Sequence, residues 1–214
     1  MSLLSPAALT VQHWLSPAFP TGAFAYSHGL EQVIARGDVA DPAGLELWLA
    51  DVLRFGSGWQ DGVLLSLGLR DGADMAGLDA LAQALQPSYE RLQETQEQGA
   101  AFARIVGQTT GRALPARCLP VAVAEAAAPL GLPREDVIAA YLQAMLTNLV
   151  TIAIRHMPLG QGAGHGVLAR LLPSVAELAT LAAHARMDDF GNSCLGADLA
   201  AMEHETKEVR LFRT

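Results

Sequence analysis

The sequence has 214 residues, which is enough for one domain with a substantial hydrophobic core. Hydrophobic residues make up 51% of it, charged residues 17%, and the net charge is −8 at pH 7. This acidic balance argues against nucleic-acid binding, which requires a basic surface. The two cysteines, Cys118 and Cys194, are far apart and indicate neither a disulfide framework nor a zinc site. The first residues do not resemble a secretory signal, so a cytoplasmic location is expected.

The first unusual segment is residues 15–31, LSPAFPTGAFAYSHGLE. It combines two prolines, two glycines, three aromatic side chains and a histidine, so it provides tight turns and large apolar surfaces. Two interpretations remain open at this point. The segment either packs its aromatic side chains into the core or forms part of a surface that meets another protein.

Helix signals follow along the chain, and no sustained strand alternation accompanies them. Asp41 is a candidate N-cap with Pro42 at the first helical position, and Gly56 is a suitable end. The pattern predicts a single all-α domain over residues 1–214, a bundle of about eight to ten helices. Its two ends are predicted to be irregular and mobile: an N-terminal arm, residues 1–30, and a C-terminal tail, residues 187–214. Further helices are predicted over residues 59–72, 75–85, 87–111, 120–131 and 133–154.

The last of these helices contains an uncharged segment, residues 137–154, that is long enough to cross a membrane. Four polar side chains interrupt the segment and would need partners in hydrocarbon. No second span is evident in the sequence. The pattern therefore favours the central buried helix of a bundle over a membrane helix. The interrupting residues are Gln143, Thr147, Asn148 and Thr151.

Pro158 ends this helix, and four glycines follow within a short stretch, PLGQGAGHG. The stretch lacks the Lys-Ser/Thr of a phosphate-binding loop and follows no strand, which indicates a corner between helices. The next helical pattern is predicted to break at Pro173.

No self-sufficient catalytic motif is present. The six histidines form no HExxH or HxH pair, and no GxSxG motif occurs. The acidic stretches QETQEQ (93–98) and MDDFG (187–191) indicate solvated helix faces. An enzyme or metal-binding protein would remain an alternative if folding brought together His156, His204 and Glu205.

The chain ends with EVRLFRT, in which Leu211 and Phe212 lie between Arg210 and Arg213. Arginine and aromatic side chains together are typical of interface hot spots. A frayed terminus is the alternative interpretation.

Three segments then carry a resemblance to a known family. Residues 15–31 resemble the N-terminal signature of the urease accessory protein UreF family, SPxxPxGAFxYSxGLE. RHMPLGQ, residues 155–161, is similar to the family's R-x-x-PLGQ, and MEHETKEVRLFRT, residues 202–214, to its M-x-HE-T…RLFRS ending. The chain departs from the usual family residues at a few positions outside the apparent core of these signatures: Thr21, Ala25, His28 and Thr214.

The resemblance implies a non-enzymatic, all-helical, dimeric protein without cofactor, catalytic residues or resident metal. With UreD (also called UreH), such a protein would recruit the GTPase UreG to apo-urease and support GTP-dependent nickel insertion into the urease active site. The resemblance implies partner binding by one set of residues: Ser16, Pro17, Phe19, Pro20, Gly22, Phe24, Tyr26, Ser27, Gly29, Glu31, His204, Glu205, Arg210, Leu211, Phe212 and Arg213. It implies a structural or interface role for a second set: Tyr141, Asn148, Arg155, Pro158, Leu159, Gly160 and Gln161.

Two finer expectations follow from the resemblance. The arm and the tail are expected to be mobile in the free protein and ordered by UreD, which would make UreG recruitment depend on UreD. Arg210 and Arg213 are expected to act as docking anchors through carboxylate pairing, rather than as an arginine finger for the GTPase.

Overall fold

The computed structural model describes residues 5–214, so the first four residues of the predicted arm lie outside it. Over the described residues the chain is all-α, as the sequence predicts, and short 3-10 turns lie at 23–25, 128–130 and 187–189. The helices are α1 (Pro6–Trp14), α2 (Leu30–Arg36), α3 (Pro42–Phe55), α4 (Ser57–Gly68), α5 (Met75–Ala84), α6 (Tyr89–Thr110), α7 (Leu119–Ala127), α8 (Arg134–His156), α9 (Gln161–His184) and α10 (Leu195–His204).

Local sequence accounts for where many of these helices begin. The predicted cap at the start of α3 is confirmed, because the Asp41 carboxylate accepts a hydrogen bond from Gly44 N–H at 2.8 Å. Ser5, Asp74 and Ser88 cap α1, α5 and α6 in the same way. Each side chain satisfies a backbone N–H that has no partner inside the helix.

Helix α8 lies at the centre of the bundle, where it packs against α9, α4, α3, α2 and α1. It forms an antiparallel hairpin with α9, and the turn at residues 157–160 is the corner that the sequence predicts. The hairpin is closely packed at Gly164, where a Cβ atom would lie 2.5 Å from Ile154 Cδ1. One large cluster of buried apolar side chains runs from Val11 in α1 to Phe212 near the end of the chain.

Both helices of this hairpin are long and apolar enough to span a membrane, by length and composition alone. The expectation that only the first of these segments could span a membrane is therefore wrong. Half of the apolar window of α8 and 39% of that of α9 are buried inside the bundle. This burial is typical of the core helices of a folded domain.

Two helix predictions are also wrong. Helix α9 runs through Pro173 without ending there, because Pro173 and Ala169, whose carbonyl loses its intrahelical partner, both face solvent. The stretch QETQEQ is not simply a solvated face, since Glu94, Thr95 and Gln98 are buried. The structure thus buries a polar face of α6.

The two ends contain more regular structure than the sequence predicts. The arm includes α1, the residues predicted as tail include α10, and both helices are packed on the bundle. Mobility of these ends in the free protein stays a prediction.

Candidate functional site

The three segments that resemble the UreF family meet at one place in the fold. The first contact is made by Gly29, which has a φ of 76° and begins α2 directly against α10. A Cβ atom at Gly29 would lie 2.9 Å from Ala201 N, so both the space and the backbone conformation require glycine. This contact brings Glu31, two residues later, next to the end of α10.

Glu31 is a buried carboxylate that holds the terminal segment, residues 205–214. It accepts backbone N–H bonds from Leu211 at 3.0 Å and Phe212 at 2.9 Å, and its Oε1 lies 3.6 Å from Lys207 Nζ. Burial alone would raise the pKa of Glu31, but these bonds and the contact with His204 hold it below the usual value. Glu31 is therefore ionised at neutral pH and ties α2 to the end of the chain.

His204 is fully buried between two carboxylates. Its Nε2 lies 3.2 Å from Glu31, and its Nδ1 lies 2.7 Å from Glu90 on α6. Glu90 also pairs with Arg210, and Glu90 N–H donates to Glu205 Oε1 at 3.1 Å. The two carboxylates face opposite edges of the imidazole, so this arrangement joins three segments and does not converge on a point where a metal ion would sit.

A second buried network holds Thr214. Ser27 N–H donates to the Thr214 carbonyl at 3.0 Å, and the Thr214 hydroxyl donates to Glu94 at 3.1 Å. His28 Nδ1 also lies 3.1 Å from Glu94, which pairs with Arg91. Burial would raise the pKa of Glu94, but Arg91 and His28 lower it to about 2. Burial and the Arg91 charge lower the pKa of His28 as well, so His28 is neutral at physiological pH.

Arg213 attaches the terminal segment on the outside. Its guanidinium donates to both Glu97 oxygens, at 2.7 and 3.0 Å, and stacks over the Tyr26 ring with 5.1 Å from Cζ to the ring centroid. The Tyr26 hydroxyl donates to the same carboxylate, and Arg213 N–H donates to the Ala25 carbonyl at 2.8 Å. The salt bridge between Arg213 and Glu97 is therefore bidentate and exposed to solvent.

Helix α8 contributes two residues to the same region. Asn148 Nδ2 donates to the Ala23 carbonyl at 2.9 Å, and Arg155 donates to the Phe24 carbonyl at 3.3 Å. The Arg155 guanidinium also lies over the Phe212 ring, 5.4 Å from its centroid. Arg155 therefore contacts both the arm and the terminal segment. The next residues of this motif form the α8–α9 turn, with Leu159 buried, Pro158 and Gly160 exposed, and Gln161 starting α9.

The residues predicted to bind partners divide by exposure. Those exposed to solvent are Pro17, Pro20, Phe24, Arg210, Leu211 and Arg213. Those partly exposed are Ser16, Gly22 and Glu205. Those buried inside the chain are Phe19, Tyr26, Ser27, Gly29, Glu31, His204 and Phe212. The buried set can reach a partner only if the ends rearrange.

Sequence reasoning missed the acidic face of α6, which supplies Glu90 to the network around His204 and Glu94 to the network around Thr214. Glu90, Glu94 and Glu97 have the spacing of one helix face, and this spacing was the signal that could have revealed them. They were not recognised as buried residues, because the buried face of a helix usually carries apolar side chains.

The catalytic alternative required His156, His204 and Glu205 to converge. His204 instead pairs with Glu31 and Glu90, and His156 packs edge-on against Phe212 with 6.1 Å between ring centroids. Within residues 5–214, no group of three or more His, Cys, Asp or Glu side chains is arranged to hold a metal ion.

A cavity of about 360 Å³ lies behind the arm. We call it the arm cavity; residues 14–24 form one side of it, and α6 and α8 form the others. Asp61 reaches it from α4 and accepts a hydrogen bond from the Tyr141 hydroxyl at 2.7 Å. Burial raises the pKa of Asp61 to about 6, although the bond from Tyr141 opposes this change.

Comparison with known proteins identifies the family of this chain. The UreF family model matches residues 39–172 of the chain. The urease accessory protein UreF of Cereibacter sphaeroides is 55% identical over 211 residues, covering 99% of this chain and 100% of the relative. The proteins of that name from Paracoccus denitrificans (48%; all of both chains) and Roseobacter denitrificans (46%; 97% of this chain and 94% of the relative) are also similar. The chain therefore belongs to the UreF family of urease accessory proteins, which are accessory proteins and not enzymes.

Proposed function

We propose that this chain is a cytoplasmic recruiting subunit in urease maturation. As a homodimer it binds UreD (UreH), and the resulting complex recruits the GTPase UreG to apo-urease for GTP-dependent nickel insertion. Family membership supports the general role, because the relatives are named urease accessory proteins. The choice of partners rests on the resemblance of the arm and the terminal segment.

The observation that carries the proposal is the pairing of the two chain ends into one exposed surface. Phe24 is 63% exposed and Leu211 is 68% exposed, although both are large apolar residues. Hydrogen bonds attach the segments that carry them to each other and to α8, since Arg213 N–H donates to the Ala25 carbonyl and the Arg155 guanidinium donates to the Phe24 carbonyl. Exposed apolar side chains beside paired arginines are typical of protein interfaces. We call Phe24, Val209 and Leu211 the paired-end surface.

The pairing of both arginines within this chain counts against an arginine finger. Arg210 is engaged with Glu90 and with the carbonyls of Glu205 and Lys207, and Arg213 is held by Glu97 and Tyr26. A finger must point away from its own chain into the nucleotide site of the GTPase. If Arg210→Ala and Arg213→Ala left complex formation intact and slowed GTP turnover, the docking role would be wrong.

The test is size-exclusion chromatography with mass determination. The chain is measured alone, with UreD, and with UreD plus GTP-loaded UreG. A dimer that grows stepwise into both larger complexes is expected. If the chain binds neither UreD nor UreG, the proposal is wrong.

A matched pair of variants locates the surface. Leu211→Ser removes an exposed apolar side chain but keeps the backbone N–H bond to Glu31, so the terminal segment stays attached. Leu47→Ser removes a leucine of similar exposure, 69%, from α3. Loss of UreD binding by Leu211→Ser alone is expected. Equal binding by both variants would exclude Leu211 from the interface.

A further inference from the structure

The arm cavity contains a carboxylate that lacks a countercharge. Within residues 5–214, Asp61 accepts its hydrogen bond from a neutral hydroxyl, Tyr141, and no lysine or arginine lies within salt-bridge distance of it. The nearby Arg91 is already paired with Glu94. A charge removed from water without a partner is costly, so such a group calls for an explanation.

The charges around the cavity do not cancel. Arg91 offsets Glu94, and His28 is neutral because burial lowers its pKa. Asp61 therefore leaves the polar end of the cavity with one net negative charge at neutral pH. His28 Nε2 adds a buried polar atom that has no hydrogen-bond partner. The electrostatics of this end favour a cation.

Aromatic side chains belong to the lining of the cavity. Trp14, Phe19 and Phe102 line the cavity, with ring centroids 6.0 Å apart for Trp14–Phe102 and 5.6 Å for Phe19–Phe102. Pockets of about 300 to 1,000 Å³ with mostly apolar walls and a few polar groups are the usual sites of small ligands. The arm cavity, at about 360 Å³, is within this range.

We propose that the arm cavity binds a small organic monocation that has an apolar body. Its ammonium group pairs with Asp61, and its body lies against the rings of Trp14 and Phe19. Because residues 14–24 form one wall, the ligand also ties the arm to α6 and α8. Of the paired-end surface only Phe24 also lines the cavity, and the test of this site does not depend on UreD or UreG.

The probe is 2-phenylethylamine, measured by isothermal titration calorimetry on the full chain at pH 7.5. Two ligands with the same ring and different charge are compared with it: 2-phenylethanol, which is neutral, and phenylacetate, which is anionic. The amine is expected to bind at least about tenfold more tightly than the alcohol, a difference of about 1.4 kcal/mol. Phenylacetate is expected to bind least.

Asp61→Asn is the decisive variant, with Asp71→Asn as its matched control. Both remove one acidic charge, but Asp71 is exposed and lies outside the cavity lining. The preference for amine over alcohol should vanish in Asp61→Asn and persist in Asp71→Asn. In the unaltered chain it should also weaken below pH 6, where Asp61 becomes protonated. Equal binding of amine and alcohol, absence of binding by the amine, or an unchanged preference in Asp61→Asn would overturn the proposal.

Discussion

At the scale of single residues, the structure uses buried charge in two opposite ways. Glu31 and Glu94 receive enough hydrogen bonds and positive charge to lower their pKa values, so their ionised forms stabilise the fold. Asp61 receives one bond from a neutral hydroxyl, and burial dominates. The first two carboxylates attach the ends of the chain, whereas the third faces a cavity.

His204 is the residue whose loss should be most destabilising. His204→Ala removes the imidazole that Glu31 and Glu90 both contact. Each of the two buried carboxylates then loses a hydrogen-bond partner. Leaving a buried acceptor without its hydrogen-bond partner costs about 1 to 3 kcal/mol. Urea unfolding measures the change, and His165→Ala, an exposed histidine on α9, is the control. A loss below about 1 kcal/mol would show that the networks tolerate the gap.

Asp61→Asn should instead stabilise the protein. The folded-state pKa of about 6 lies above the unfolded value of 3.8, so the folded state binds the proton more tightly. The charge therefore opposes folding above pH 6, by about 2 to 3 kcal/mol at most, and this penalty is lost as the pH falls toward 3.8. Urea unfolding of both forms should show a gain at pH 7.5 that shrinks toward pH 4. A gain that is constant with pH would contradict the assignment.

The sequence revealed the exposed residues of the site better than the buried ones. Phe24, Arg210, Leu211 and Arg213 could be selected because they interrupt or end the helical pattern in recognisable motifs. Glu94 could not, because helical spacing predicts its contact with Arg91 but neither its burial nor the approach of Thr214. Asp61 has no local signal, since only the packing of α4 beside α8 exposes it to the arm cavity.

At the scale of helices, caps and prolines predicted most boundaries. Asp41 with Pro42 starts α3, and Pro158 separates α8 from α9, because both effects are local. The prediction that a helix breaks at Pro173 is wrong for a different reason. A proline is tolerated inside a helix when the face that it disrupts is exposed to water, and the exposed face becomes known only from packing.

Helix α6 offers a test of close packing. A Cβ atom at Gly99 would lie 1.9 Å from the Arg117 carbonyl oxygen, in the segment that leads into α7. Gly99→Ala is therefore expected to destabilise the protein by about 1 to 3 kcal/mol, since the backbone must move. Gly162→Ala in α9, where no atom lies within 4 Å of the added Cβ, should be neutral or stabilise by about 0.5 kcal/mol. Thermal unfolding of the two variants measures the difference in stability. Equal stability would show that the backbone of α6 can move at no cost.

At the scale of the whole molecule, the two ends of the sequence are neighbours. The distance in sequence between Ser27 and Thr214 spans nearly the entire chain, yet their backbones are hydrogen bonded. Periodicity describes single helices and does not specify which distant segments meet. The helical pattern therefore could not predict that the ends meet, although the resemblance to the family signatures had drawn attention to both ends.

Attachment of the terminal segment should depend on the charge of Glu31. Glu31→Gln places an amide beside the N–H groups of Leu211 and Phe212, so hydrogen exchange in residues 205–214 should accelerate. Glu208→Gln, an exposed change in the same segment, is the control. Because the folded-state pKa of Glu31 is lowered, its contribution is complete above the ordinary glutamate pKa of 4.5 and is lost at lower pH. Unchanged exchange in Glu31→Gln would mean that the other contacts suffice.

The bonds from Leu211 and Phe212 to Glu31 have a consequence for how this protein can diverge. The carboxylate is held by main-chain N–H groups, which every amino acid except proline provides. Position 211 can therefore change its side chain while the terminal segment keeps its place. Under the proposed docking role, the exposed positions 209 and 211 can change without loss of attachment, so recognition of a partner can be adjusted one substitution at a time.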